Sequence, residues 1–227
     1  MLLRFAACFV VLGVLITVCA DAQSLSDQER KEGFQSIFNG KDLTGWVVMN
    51  SGSWHVENNS LVSVVGPGRG WLRSANAYEA FILRLEYKVS QGVNSGVFIR
   101  ATEEGNPAYT GMEIQILDDH GRPATATGSG SVYAAVAPRV NAAKPAGEWN
   151  EMEIACIGRM LRVRLNGQLL YVVNLDDPEI NAKLPEGQKL KDRVPKGFIG
   201  LQNYGNHLEF RNIRIKAFPP KAAEQPK

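Results

Sequence analysis

Apolar and polar residues alternate with period two along most of this chain, and the longest such run is Phe81-Ile82-Leu83-Arg84-Leu85-Glu86-Tyr87-Lys88-Val89. Phe81, Leu83, Leu85, Tyr87 and Val89 fall on one face and Arg84, Glu86 and Lys88 on the other, the pattern of a half-buried strand. Shorter runs of the same kind predict strands at Phe34–Phe38, Leu43–Val48, Trp54–Val56, Ser60–Val64, Trp71–Ser74, Asn94–Arg100, Gly111–Leu117, Trp149–Ile157, Leu161–Leu165, Gln168–Val173, Gly197–Gly205 and His207–Phe218. Glu57-Asn58-Asn59 closes one hairpin, and Asn166-Gly167, the type I′ dipeptide, closes another. In the last run Leu208 and Phe210 share a parity that Ile213 and Ile215 do not, so a bulge or bend is expected across Arg211-Asn212. No stretch carries an amphipathic helix longer than two turns. Many short strands with turn chemistry between them argue for an all-β sandwich or jelly roll.

One strand ends unusually. In Met112-Glu113-Ile114-Gln115-Ile116-Leu117 the apolar residues face the core, Glu113 and Gln115 emerge together on the other side, and Asp118, Asp119 and His120 follow before a Gly-Arg-Pro turn. A strand does not need that much acid and imidazole at one end to fold, although Asp before Gly is also ordinary turn chemistry. In the preceding strand, parity puts Asn94, Gly96, Phe98 and Arg100 on a common face: an amide, a cation, an aromatic ring, and a glycine that lets something approach the backbone. The segment from Asp118 to Trp149 is long, poor in periodicity and contains Tyr133 and Arg139, which suits a wall or lid over the site. A second long polar loop runs from Asp176 to Val194.

Composition removes several classes. Arg4, the apolar run Phe5 to Val18 and Ala20-Asp21-Ala22 read as a signal peptide over residues 1–22 with export to a periplasm or beyond, and the run is short for a membrane span. Residues 23–33 read as a polar lead-in, 34–218 as the sandwich and 219–227 as a disordered tail. Of three cysteines only Cys156 remains in the mature part, so no internal disulfide forms there, and its alternation with Met152 and Ile154 makes it a buried, inert thiol. With net charge +2 and no basic block, nothing points to nucleic acid or a membrane surface.

Phe38-Asn39-Gly40-Lys41-Asp42-Leu43-Thr44-Gly45-Trp46 resembles the opening motif of the 3-keto-disaccharide hydrolase domain family. The resemblance continues through Asn94-Ser95-Gly96, Glu113 to Asp118, Pro145 to Asn150, Asn166-Gly167, Gly197 to Gln202 and Phe210 to Ile213, in order and over essentially the whole mature chain. At Asn203-Tyr204-Gly205-Asn206 the chain departs from the acidic residue and histidine more frequent in the family, with His207 a nearby imidazole. The resemblance implies a concanavalin A-like jelly roll and action on glycosides whose sugar is a ketone at C3.

Such a ketone acidifies the C2 proton, and the glycosidic oxygen at C1 lies β to the carbonyl. Removing the C2 proton gives an enolate that expels the C1 oxygen, and adding water to the enone completes a net hydrolysis. The route needs a base, an enolate stabiliser and an acid. Glu113, Gln115, Asp118 and His120 are the expected catalytic residues, with Asn94, Arg100, Tyr133, Gln202, Asn203 and His207 binding the sugar and Arg100 or a bound cation stabilising the enolate. Glu113, Asp118, Asp119 and His120 are the residue types that ligate a divalent cation, without a recognised spacing. Two rivals share the fold. A glucanase needs two carboxyls about 5–5.5 Å apart on its retaining route, which Glu113-x-Gln115-x-x-Asp118 supplies poorly. A lectin-like binding module needs only the polar face and aromatics.

Overall fold

The computed structural model describes residues 25–219, apart from 52, 67 and 68, and shows two packed antiparallel sheets. The expected signal peptide and all but the first residue of the expected tail lie outside the described residues. In chain order the strands are β1 (Gln35–Ser36), β2 (Trp46–Asn50), β3 (Trp54–Glu57), β4 (Ser60–Ser63), β5 (Gly70–Tyr78), β6 (Ala80–Val89), β7 (Asn94–Ala101), β8 (Met112–Leu117), β9 (Trp149–Ile157), β10 (Met160–Leu165), β11 (Gln168–Asn174), β12 (Gly197–Asn203) and β13 (Leu208–Phe218). One sheet runs β11-β10-β9-β6-β13-β4-β3 with β1 paired to β13, and the other runs β2-β5-β12-β7-β8. This is a jelly-roll sandwich, as the alternation predicts. Among the described residues no helix is long and apolar enough to cross a membrane.

The inward faces interdigitate as the pattern requires: Phe81, Leu83, Leu85 and Tyr87 of β6 are buried against Val97 and Ile99 of β7 and Ile114 and Ile116 of β8. Cys156 lies in the same layer, free and fully buried, and burial pushes its thiol up to about 11. The outer face of the larger sheet is a ladder of ion pairs, Arg84 with Glu153 at 2.8 Å, Arg211 with Glu86 at 2.8 Å and Lys88 with Glu209 at 2.8 Å.

Three local readings change. Phe34–Phe38 forms a ladder only at Gln35-Ser36, with Phe38 turned into the core and Phe34 buried beneath the Arg84 guanidinium, which lies 4.3 Å from its ring centre. The lead-in ends in a helix, α1 (Asp27–Glu32), started by a Ser26/Glu29 capping box and closed by Gly33 in the left-handed region at φ 87°. The second long loop contains a helical turn, α3 (Pro178–Ala182), and a 3₁₀ turn at Leu190–Asp192.

The Asn166-Gly167 hairpin has φ 50° and 77°, as type I′ demands, and Asn166 donates from its amide to Ala142 O and Asn150 Oδ1 at 2.8 Å each. Gly167→Val meets open space but resists positive φ. It should cost about 1–2 kcal/mol and lower Tm by several degrees in a thermal melt, leaving kcat unchanged; an unshifted Tm would contradict the strain.

Candidate functional site

The outer face of the five-stranded sheet is built on two glycines. Glu113 pairs with Phe98 across β7–β8, and Gln115 pairs with Gly96. A Cβ on Gly96 would fall 2.3 Å from Glu113 Oε1, so the bare backbone there is the bed on which this carboxyl lies. In the same way Trp71 of β5 lies over Gly200 of β12 and meets the edge of Phe98 at a centroid distance of 5.6 Å. Trp71 is thereby floor, not an open stacking platform.

Glu113 is 3% exposed, far from the solvated position that strand alternation alone suggests. The loop after β8 covers it. Val132 bridges to Ile114, Tyr133 N donates to Glu113 O at 2.9 Å, Gln115 N donates to Ser131 O at 3.1 Å, and Gly130 N donates to Gln115 O at 2.8 Å. With its nitrogen turned toward the acceptors around it, Gln115 donates to Glu113 Oε1 and to Ser95 O at 3.0 Å each, and its oxygen faces the Asn94 amide at 3.3 Å. Burial pushes the Glu113 carboxyl up to about 8, partly offset by a hydrogen bond from Gln202 on β12. The Gln202 Oε1 atom is buried with no partner among the described residues.

Around this carboxyl is a cleft of about 200 Å³ whose lining includes Asn94, Gln115, Gln202 and three tyrosines, Tyr109, Tyr133 and Tyr204. Tyr109 rides on a single turn, α2 (Pro107–Thr110), capped by Asn106 with proline at its start. Buried Arg193, from the second long loop, donates to the carbonyls of Ala108, Gly111 and Gln188 and so ties that turn down. Tyr204 is pinned by Arg69, which donates to its hydroxyl at 2.9 Å and stacks 4.0 Å above its ring. Grooves of about 280 and 400 Å³ on the larger sheet are lined by charges such as Arg84 and Glu153, or Lys88 and Glu209, that already pair with one another.

Of the expected site residues, Glu113, Gln115, Asn94, Tyr133 and Gln202 come together in this cleft. The others do not. Asp118 lies five residues along an extended strand from Glu113, about 16 Å at strand rise, and its carboxylate accepts the Gly92 N–H at 2.9 Å. Asp119 accepts the Ser129 N–H at 2.9 Å, and exposed His120 has Nδ1 2.6 Å from Ala143 O, so both shape the loop. Arg100 is 1% exposed and donates to Glu79 O and Gly158 O. From Phe98 to Ala101 on β7, β12 moves only from Gly200 to Phe198; this bulge, with Arg100 at φ 51°, breaks the parity that put Arg100 beside Phe98. Asn203 points to the opposite side of its strand from Gln202 and donates to Ser53 O at 2.9 Å. His207 immediately precedes β13 of the other sheet, 3.5 Å from Glu209. Among the described residues no group of three or more His, Cys, Asp or Glu side chains could hold a metal ion, so the set Glu113, Asp118, Asp119 and His120 is dispersed. The oxygens offered by the cleft are one carboxyl, amide carbonyls and phenols.

Tyr109, Asn106 and Tyr204 were not among the expected residues. Asn106-Pro107 is a legible turn start, but nothing in its spacing shows that the turn folds toward Glu113.

The chain is similar to a curated 3-keto-disaccharide hydrolase of Bacteroides thetaiotaomicron, at 28% identity over 87% of this chain and 82% of that one. Two solved structures of candidate glycosyl hydrolases from Parabacteroides distasonis superpose on it. One has a TM-score of 0.76 at 25% identity, covering 87% of this chain and 99% of the other; the second has 0.68 at 29%, covering 82% and 99%. The model of the 3-keto-alpha-glucoside-1,2-lyase-like domain matches residues 33–216, and the chain therefore belongs to that family.

Proposed function

We propose that this protein is an exported enzyme that cleaves the glycosidic bond of 3-keto-glycosides by removing the C2 proton and eliminating the C1 oxygen, with Glu113 as the base. One observation carries the reading. Among the described residues lining the cleft, Glu113 is the only carboxyl, and burial raises it to about 8. Displacement at an unactivated C1 uses a pair of carboxyls. Abstraction of a proton next to a ketone uses one, with a value near the working pH. The relative named a 3-keto-disaccharide hydrolase supports the substrate class, and the apolar run Phe5 to Val18 supports export. Gln202 Oε1 and the Asn94 amide would take the sugar hydroxyls, and the tyrosines would flank the ring. A cleft of about 200 Å³ is smaller than sites for drug-sized ligands, so it suits one sugar ring with the leaving group at its rim.

The test is to incubate a 3-keto-disaccharide and its unoxidised parent with the protein in deuterium oxide, with and without chelator. Elimination predicts cleavage of the keto substrate alone, with either a conjugated enone visible in the ultraviolet or deuterium at C2 of the released keto-sugar. Cleavage of the parent at a comparable rate, without deuterium, would overturn it. Binding of the keto substrate with no turnover would assign the cleft to carbohydrate recognition instead.

A further inference from the structure

The geometry points to the Tyr133 hydroxyl as the acid that protonates the departing C1 oxygen, an inference that rests on the elimination reading. Elimination leaves an alkoxide unless a proton is delivered, and Asp118 and His120, the other catalytic residues expected from the sequence, are committed to Gly92 and Ala143 away from the cleft. Three phenols remain. The oxygen of Tyr204 accepts from the Arg69 guanidinium, which also stacks on its ring and holds this 40% exposed side chain in place. Tyr109 rides on the separate turn α2, with no hydrogen bond to the strand of the base among the described residues, its ring 6.4 Å from that of Tyr133. Tyr133 alone is anchored on the backbone of the base, its N–H on Glu113 O at 2.9 Å. The next residue, Ala134, sits in the left-handed region at φ 57° and donates to Ala126 O at 2.8 Å, which fixes the turn that presents the ring.

Burial holds the Tyr133 phenol above its ordinary value, and the Glu113 carboxylate pushes it the same way, so the hydroxyl stays protonated. The step balances. Glu113 carboxylate takes the C2 proton, the C2–H pair becomes the C1–C2 double bond, the C1–O bond breaks, and the leaving oxygen takes the Tyr133 proton. The proton on Glu113, held near 8, then passes downhill to the tyrosinate directly or through water, restoring both groups.

Tyr133→Phe tests this because it keeps the ring and removes only the hydroxyl. The substrates are a 3-keto-disaccharide, whose leaving alcohol needs a proton, and a 3-keto-4-nitrophenyl glycoside, whose phenolate does not. Rates are taken above the uncatalysed background. The disaccharide rate should fall by about 10²–10⁴ while the nitrophenyl rate stays within a few-fold, which also shows that the variant folds. Recovered disaccharide should still exchange its C2 hydrogen with deuterium oxide. Equal losses on both substrates, no loss on either, loss of C2 exchange, or a leaving-group-dependent loss in Tyr109→Phe instead would each overturn the assignment. A wild-type protein inert toward both keto substrates would mark failure of the elimination reading itself.

Discussion

Glu113→Gln should all but abolish turnover of a 3-keto-glycoside and at the same time make the protein more stable at alkaline pH. Loss of the base is worth about 10²–10⁴ in rate. The stability gain follows from the site's own electrostatics. The folded Glu113 holds its proton up to about 8, above the 4.5 of a free carboxyl, because burial penalises the charge. The folded state therefore binds this proton more tightly than the unfolded chain does. Its contribution is fully present below about pH 4.5, declines as pH rises toward 8, and is flat beyond. Gln has no proton to lose. Its advantage should be absent in acid and reach on the order of 4 kcal/mol above pH 8, or roughly 10 °C in Tm for a domain of this size. Thermal melts of both proteins from pH 4 to 9 would show it, and parallel curves would refute the raised carboxyl. On the proposed role the ionised form is the base, so kcat/KM of the wild type should climb with pH and level off above about 8.

Gly96→Ala should damage catalysis nearly as much while leaving the fold intact. The new methyl would sit 2.3 Å from Glu113 Oε1 and 2.7 Å from its Cγ, and the end of a side chain moves more easily than the sheet beneath it. Gly96 does not have positive φ, so alanine suits the backbone. The carboxyl is displaced by an ångström or more, which is worth about 10²-fold in rate. Adding Gly96→Ala to Glu113→Gln should then cost nothing further, since both act on one group. A kcat within twofold of wild type would mean that the carboxyl reaches its working position over a methyl.

What the sequence shows of this molecule is what period-two alternation and turn chemistry can encode. Phe81 to Val89 lies as read, Asn166-Gly167 turns as read, and the phase change at Arg211-Asn212 is a bulge with Asn212 at φ 51°. Arg100 could not be placed because its bulge shows only in the register against β12. Asp118 and His120 looked catalytic because turn-forming acids and catalytic acids are the same residues; only their partners, Gly92 N and Ala143 O, tell them apart. Strand parity aimed Glu113 and Gln115 outward correctly, but their burial comes from a loop whose Gly-, Ala- and Thr-rich sequence has no periodicity to read. Tyr109 is not legible in the sequence because its turn is tied down at the site by Arg193, 84 residues further on.

That last tie divides the labour of the molecule. Glu113 and its amide partners belong to the sheet, whereas one wall of the cleft hangs from a buried guanidinium rooted in the stretch between Asp176 and Val194. Replacements in that stretch would move the Tyr109 wall without touching Glu113 or its amide partners. One loop can thus reshape the cleft while the sheet that carries Glu113 stays as it is.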